Sequence, residues 1–179
     1  MFRNILRGVL GTTRHLVLLT NSVKKFNPHI SSGSAISRMA KQFDKAELKK
    51  RLTPIQYQVT QEKGTERPFS GCFNKIYEAG IYICIVCEEP LFSSETKYDS
   101  GCGWPAFNDV LDQGKVKLSP DTSGGRIRTE VTCAQCGSHL GHVFGDGPPP
   151  TRKRFCINSA SLHFLPKDEE DKVGDSKDF

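Results

Sequence analysis

Two cysteine pairs, CIVC at 84–87 and CAQC at 133–136, constrain this 179-residue chain more than any other feature. Each pair puts two thiols on one tight turn, and two such turns brought together supply the four soft ligands of a closed tetrahedral site. The spacing predicts one structural zinc ion per chain, held by Cys84, Cys87, Cys133 and Cys136. Two disulfides would need an oxidising compartment, and a thioredoxin-like redox pair would need a βαβ pattern that surrounds neither CxxC. The insertion between the pairs is longer than in compact zinc fingers, so the metal is expected to staple two parts of a larger domain.

The texture around these pairs is that of a mainly β protein. Short β-rich runs, GIYICIV (80–86), RIRTEVTC (126–133) and FCINSASLHF (155–164), are punctuated by Gly, Pro, Asn and Asp. Ahead of them, Asp44 with Glu47 fits one helix start, and Thr53-Pro54 with Gln56 fits another, so two short helices are expected across about residues 44–59. DGPPP (146–150) reads as a stiff turn before the last run. If that run is one strand, Cys156, Asn158, Ala160, Leu162 and Phe164 share a face, and Arg154 falls on the same side.

The formal charge of +5 hints at nucleic acid until it is divided along the chain. Residues 1–42 hold seven Lys/Arg and no Asp/Glu, residues 43–166 hold fifteen against fourteen, and residues 167–179 hold three against six. The middle is nearly neutral and carries no basic stripe with interleaved aromatics, which argues against a nucleic-acid footprint. The first 42 residues, rich in Arg, Ser and Thr and free of acid, have the composition of a mitochondrial transit peptide. A start at Met39 would instead give a cytoplasmic form. The last stretch, from Lys167, reads as a charged tail that does not order. No run reaches the roughly 18 apolar residues of a membrane span, and no membrane partner is expected.

Setting the metal set aside leaves Cys72, Cys102 and Cys156. A free cysteine is commonly a buried packing residue, but context separates these three. Arg152, Lys153 and Arg154 precede Cys156, and positive charge favours the thiolate, which is the nucleophilic form. Such a cation cluster is otherwise an ordinary solvated turn. Cys102 sits between two glycines in SGCGWP (100–105), a segment free to move, beside the only tryptophan, Trp104. That residue is core or the wall of a binding pocket. His139 and His142, in CGSHLGH, are too closely spaced for the usual finger ligands and are either satisfied polar residues or proton donors to a bound oxygen.

Taken together, QYQVTQEKGTE (56–66), the two CxxC pairs, SGCGWPAF (100–107), HLGHVFGDGPPP (139–150) and RFCINSASLHF (154–164) resemble the methionine-R-sulfoxide reductase (MsrB) family over about residues 44–165. The resemblance implies two antiparallel β-sheets with short N-terminal helices and a four-cysteine zinc site remote from the active site. It implies Cys156 as nucleophile, Cys102 as resolving cysteine, and His139, His142 and Asn158 as binders or protonators of the sulfoxide oxygen. Trp104 would receive the S-methyl group, with Arg154 and Asp146 supporting the site. The implied cycle ends in a Cys156–Cys102 disulfide reduced by thioredoxin, with oxidised proteins as substrates; apart from the resemblance, the chain is expected to be a monomer. Phe155 stands where many members have Tyr, and Cys72 has no counterpart the family requires. Two other classes fit part of the pattern: a zinc-ribbon-like binding module with an inert Cys156, and a peroxide-reactive thiol sensor.

Overall fold

A computed structural model describes residues 41–167. The basic leader up to residue 40, the alternative start at Met39 and the charged tail beyond Lys167 lie outside the described residues. Two short helices open the fold. In α1 (Lys45–Arg51) the Asp44 carboxylate accepts from Ala46 N at 2.7 Å and Glu47 N at 3.1 Å. In α2 (Pro54–Glu62) Thr53 and Gln56 form a reciprocal capping box behind a proline at the first turn, and Lys63 ends the helix in the left-handed region.

Among the described residues nine strands follow, and every pairing between them is antiparallel. The smaller sheet has the order β2-β1-β9, built from β1 (Gly80–Cys84), β2 (Pro90–Ser93) and β9 (Leu162–Pro166). The larger has the order β3-β4-β8-β7-β6-β5. It comprises β3 (Lys97–Tyr98), β4 (Ala106–Phe107), β5 (Val116–Asp121), β6 (Arg128–Cys133), β7 (His139–Phe144) and β8 (Arg154–Ile157). Aromatic rings lock the sheets face to face. Phe92 of β2 stacks on Phe107 of β4 at 4.5 Å, Tyr82 of β1 meets Phe107 edge-on at 5.1 Å, and all three are fully buried.

The run 155–164 is two strands, in different sheets. Alternation holds within β8, where Phe155 and Ile157 are buried while Arg154 and Cys156 face the other way, half-buried. A single 3-10 turn over Ser159–Ser161 then breaks the chain's course, and β9 crosses to the small sheet. The Glu66 carboxylate stabilises that break by accepting from Ser159 N at 2.7 Å and Ala160 N at 2.9 Å. Ala160, Leu162 and Phe164 therefore do not continue the Cys156 face. Leu162 instead enters the core.

Candidate active site

The CxxC pairs are the turns of two hairpins, one from each sheet. Residues 84–87 turn β1 towards β2, and residues 133–136 join β6 to β7. Both close alike: Glu88 N donates to Cys84 O and Gly137 N to Cys133 O, each at 2.8 Å, with Glu88 and Gly137 at positive φ. Across the turns Cys84 Sγ lies 3.7 Å from Cys136 Sγ and Cys87 Sγ 3.6 Å from Cys133 Sγ, and all four sulfurs fall within 4.8 Å of one another. A tetrahedron with metal–sulfur bonds of about 2.3 Å has edges of about 3.8 Å, so the spacing fits a metal. It is far beyond the roughly 2.05 Å of a disulfide. Neither His139 nor His142 belongs to this group. A metal here staples the two sheets at their turns.

In β8, Cys156 Sγ lies 3.5 Å from Cys102 Sγ, the two residues being 54 positions apart in the chain. Pairing of β4 with β8 sets Ala106 opposite Cys156, which brings the SGCGWP loop alongside. Only Cys156 of the two lines a cavity of about 330 Å³, shared with Trp104, His142, Phe144, Asn158 and the loop before β6. Cys102 sits behind it, and Cys72 is exposed elsewhere. The thiols share a proton. A hydrogen bond from Cys156 holds the Cys102 thiol down to about 5, against burial, with the Ser100 hydroxyl 3.0 Å away also favouring the thiolate. The same bond and burial push the Cys156 thiol up, while Arg154 pulls it back.

The first proton is thus lost from Cys102 near pH 5, while Cys156, pushed up, keeps the proton that it donates across 3.5 Å. Below that pH both sulfurs are protonated and unreactive; above it one is a thiolate. Iodoacetamide labelling at Cys102 and Cys156, followed by mass spectrometry against pH, is expected to rise with a midpoint near 5. In Cys102→Ser, where Cys156 has lost its partner, the midpoint is expected to return towards about 8.5. A wild-type midpoint above about 8 would contradict the pairing.

The two histidines reach this site through an irregularity in β7. Residues three apart on a regular strand face opposite ways, but the β6–β7 register slips at Leu140, so that Thr132 pairs with His139 and Val131 with Gly141. Both rings consequently turn to one side, 5.4 Å apart and edge to face. The Leu140 carbonyl at the bulge accepts from Asn158 N and Asn158 Nδ2, both at 2.9 Å, and from Ser161 Oγ at 3.3 Å. His142 lines the cavity, and its Nε2 meets Asp121 Oδ2 at 2.7 Å. His139 is buried against it, with Nδ1 2.8 Å from Glu130 Oε1.

Trp104 forms the cavity's opposite wall, fixed by Nε1 donating to Glu66 O at 3.1 Å. Glu66 N in turn donates to Asn158 Oδ1 at 3.0 Å. Asn158 thus ties the Trp104 wall to the histidine bulge while one of its own amide hydrogens stays available. Arg154 makes a two-pronged bond to Asp146, at 2.8 and 2.9 Å, and lies over the Phe144 ring at 4.4 Å. Gly141 leaves β8 no clearance, since a Cβ there would come within 2.1 Å of Cys156 O. Gly141→Ala is expected to force β7 and β8 apart, destabilising the protein by about 1–3 kcal/mol in a denaturant titration and lowering activity with it.

A family model described as the SelR domain matches residues 52–166. Methionine-R-sulfoxide reductase B1 of Drosophila melanogaster is 68% identical over 137 residues, covering 70% of this chain and 66% of that protein. Methionine-R-sulfoxide reductase B3, mitochondrial, of Mus musculus is 57% identical over 132 residues, covering 74% and 52%. Peptide methionine sulfoxide reductase MsrB of Pseudomonas putida (strain W619) is 60% identical over 117 residues, covering 65% and 88%. The chain belongs to the SelR, or methionine-R-sulfoxide reductase B, family. It spans about two thirds of the fly relative's length and about half of the mouse relative's.

Of the residues that the sequence marked for the site in this SelR domain, Cys156, Trp104, His142 and Asn158 line the cavity, while Cys102, His139, Arg154 and Asp146 do not line it but pair with one another or with a lining residue, and the structure adds others. Glu66 is the hub of the Trp104 wall, and Glu130, Asp121 and Lys63 stand behind the histidines. Glu66 falls inside the QYQVTQEKGTE motif and Glu130 three residues before Cys133, so their positions were in view while their partners were not.

Proposed function

We propose that this protein reduces methionine-R-sulfoxide, free or within proteins, to methionine. The observation that carries the reading is the sulfur pair: Cys156 in the wall of a half-apolar cavity facing Trp104 and His142, with Cys102 3.5 Å behind it. In this reading the S-methyl group packs on Trp104 and the sulfoxide sulfur meets Cys156 Sγ as the Cys156 proton passes to the Cys102 thiolate 3.5 Å away. The oxygen leaves the substrate sulfur as a proton arrives from a histidine, so methionine departs and Cys156 becomes a sulfenic acid. The Cys102 thiol then attacks that sulfur, releasing water and closing a Cys102–Cys156 disulfide. A dithiol, thioredoxin by its chemistry, opens the disulfide by exchange and restores both thiols. Asn158, Arg154 and Asp146 hold the walls in place.

The four knuckle cysteines would hold a zinc ion, whose contribution is structural: four thiolates close its shell and leave no position for substrate. The acid-free leader and the mitochondrial label of the mouse relative support a mitochondrial address. The test is turnover of the R and S epimers separately, with dithiothreitol and with a thioredoxin system. Reduction of R alone is expected. Equal reduction of both epimers would overturn the reading, and Cys156 oxidation by peroxide without any sulfoxide turnover would favour a thiol sensor.

A further inference from the structure

His142 lines the cavity and His139 is buried against it; each is backed by a carboxylate, and each carboxylate by a cation, but the two sets differ in exposure. Asp121 Oδ2 takes both His142 Nε2 and Arg128 Nη2, at 2.7 and 2.8 Å, and this group is in partial contact with solvent. Glu130 is only 4% exposed and His139 2%. Glu130 divides its oxygens: Oε1 meets His139 Nδ1 at 2.8 Å, and Oε2 accepts from Lys63 Nζ at 2.8 Å. The remaining ring nitrogen, His139 Nε2, is buried and has no hydrogen-bond partner.

The hydrogen count follows from the chemistry of these groups. Lys63 only donates, so the Glu130 oxygen facing it must accept. Burial works to raise the Glu130 carboxyl, but the bonds from Lys63 and His139 outweigh it and keep the group ionised. An ionised carboxylate only accepts, so the hydrogen in the His139 contact belongs to Nδ1. Burial holds His139 towards its neutral form against the pull of Glu130, which leaves Nε2 a bare lone pair. The arrangement comes from three distant elements: the residue that ends α2, the middle of β6, and the bulge of β7 that turns His139 to the Glu130 side.

We propose that Glu130, anchored by Lys63, is a positioning residue that fixes His139 with its hydrogen on Nδ1 and leaves Nε2 as the atom that carries a proton to the sulfoxide oxygen. The proposal deepens the reductase reading above and rests on it for the identity of the proton's acceptor. A proton on Nε2 makes an imidazolium that Glu130 stabilises through Nδ1; on transfer the ring returns to neutral with its hydrogen still on Nδ1. Asp121 instead takes the Nε2 side of His142 and shares its oxygen with Arg128, so that ring is held by its other nitrogen.

Two measurements on the reduced full-length protein test this. Proton–nitrogen correlation spectra of ring-labelled histidine report which nitrogen of His139 carries hydrogen, and Nδ1 is expected. In Glu130→Gln the amide oxygen is expected to keep the charge-assisted bond from Lys63 and the amide NH2 to face His139, moving the ring hydrogen to Nε2. Single-turnover methionine formation is then expected to slow by about 100-fold, the lower end of what a general acid contributes, with KM within about 2-fold of wild type. A wild-type ring with its hydrogen on Nε2 would overturn the proposal, and this holds even where the variant fails to fold. So would a variant whose ring hydrogen moves without loss of rate, or one that loses rate with its ring unchanged. Wild-type protein inactive on both epimers would count against the reductase reading, while its spectrum would still decide how His139 is held.

Discussion

Cys156→Ser is expected to abolish sulfoxide reduction, lowering kcat/KM by at least about 10⁴-fold with either reductant. A serine hydroxyl does not ionise in the physiological range and cannot carry the oxygen in a form that a neighbouring thiol then releases. Cys102→Ser is expected to behave quite differently. The Cys156 face of the cavity remains, so one methionine per chain still forms and dithiothreitol still supports turnover, while thioredoxin-driven turnover falls to a small fraction of wild type. The contrast comes from geometry: Cys156 lines the cavity and Cys102 stands 3.5 Å behind it. Steady-state assays with both reductants check the pair of variants together. Equal loss in both would mean that Cys102 is needed before the sulfoxide is opened.

The second large effect belongs to the metal centre. Structural zinc sites in small peptides bind with about 10–16 kcal/mol, as much as a whole domain's stability of about 5–15 kcal/mol. Cys84→Ala removes a ligand that is fully buried at the meeting of the two hairpin turns. The variant is expected to purify with well under one metal equivalent and to melt more than about 15 °C below wild type. Activity is expected to fall with the fold, because the turn that holds Cys133 and Cys136 also joins the strand bearing Glu130 to the strand bearing His139 and His142. Elemental analysis and a thermal melt check this. A metal-free variant with an unchanged melting temperature would contradict the stapling role.

Features written in local spacing were legible in the sequence. The paired CxxC turns named their four ligands, the capping residues Asp44 and Thr53 named two helices, and the motifs around Cys102 and Cys156 marked the thiols that meet. What escaped depends on partners far along the chain. FCINSASLHF alternates as though it were one strand, and the break in it is set by Glu66, more than 90 positions earlier. His139 and His142 share a face only because β7 bulges at Leu140, and Asn158 from β8's end holds that bulge. Asn158 itself was marked for the substrate oxygen, yet most of its hydrogen-bonding capacity joins Glu66 to Leu140. Lys63 and Glu130 lie 67 positions apart, and no local pattern couples them.

The most direct test of the central claim uses reduced wild-type protein with no external reductant and a stoichiometric amount of each sulfoxide epimer. With methionine-R-sulfoxide, each chain is predicted to yield one methionine and lose two thiols, and peptide mapping is predicted to find a single new disulfide between Cys102 and Cys156. With the S epimer nothing is predicted to form. Methionine produced without loss of those two thiols, or equal yields from both epimers, would contradict the account.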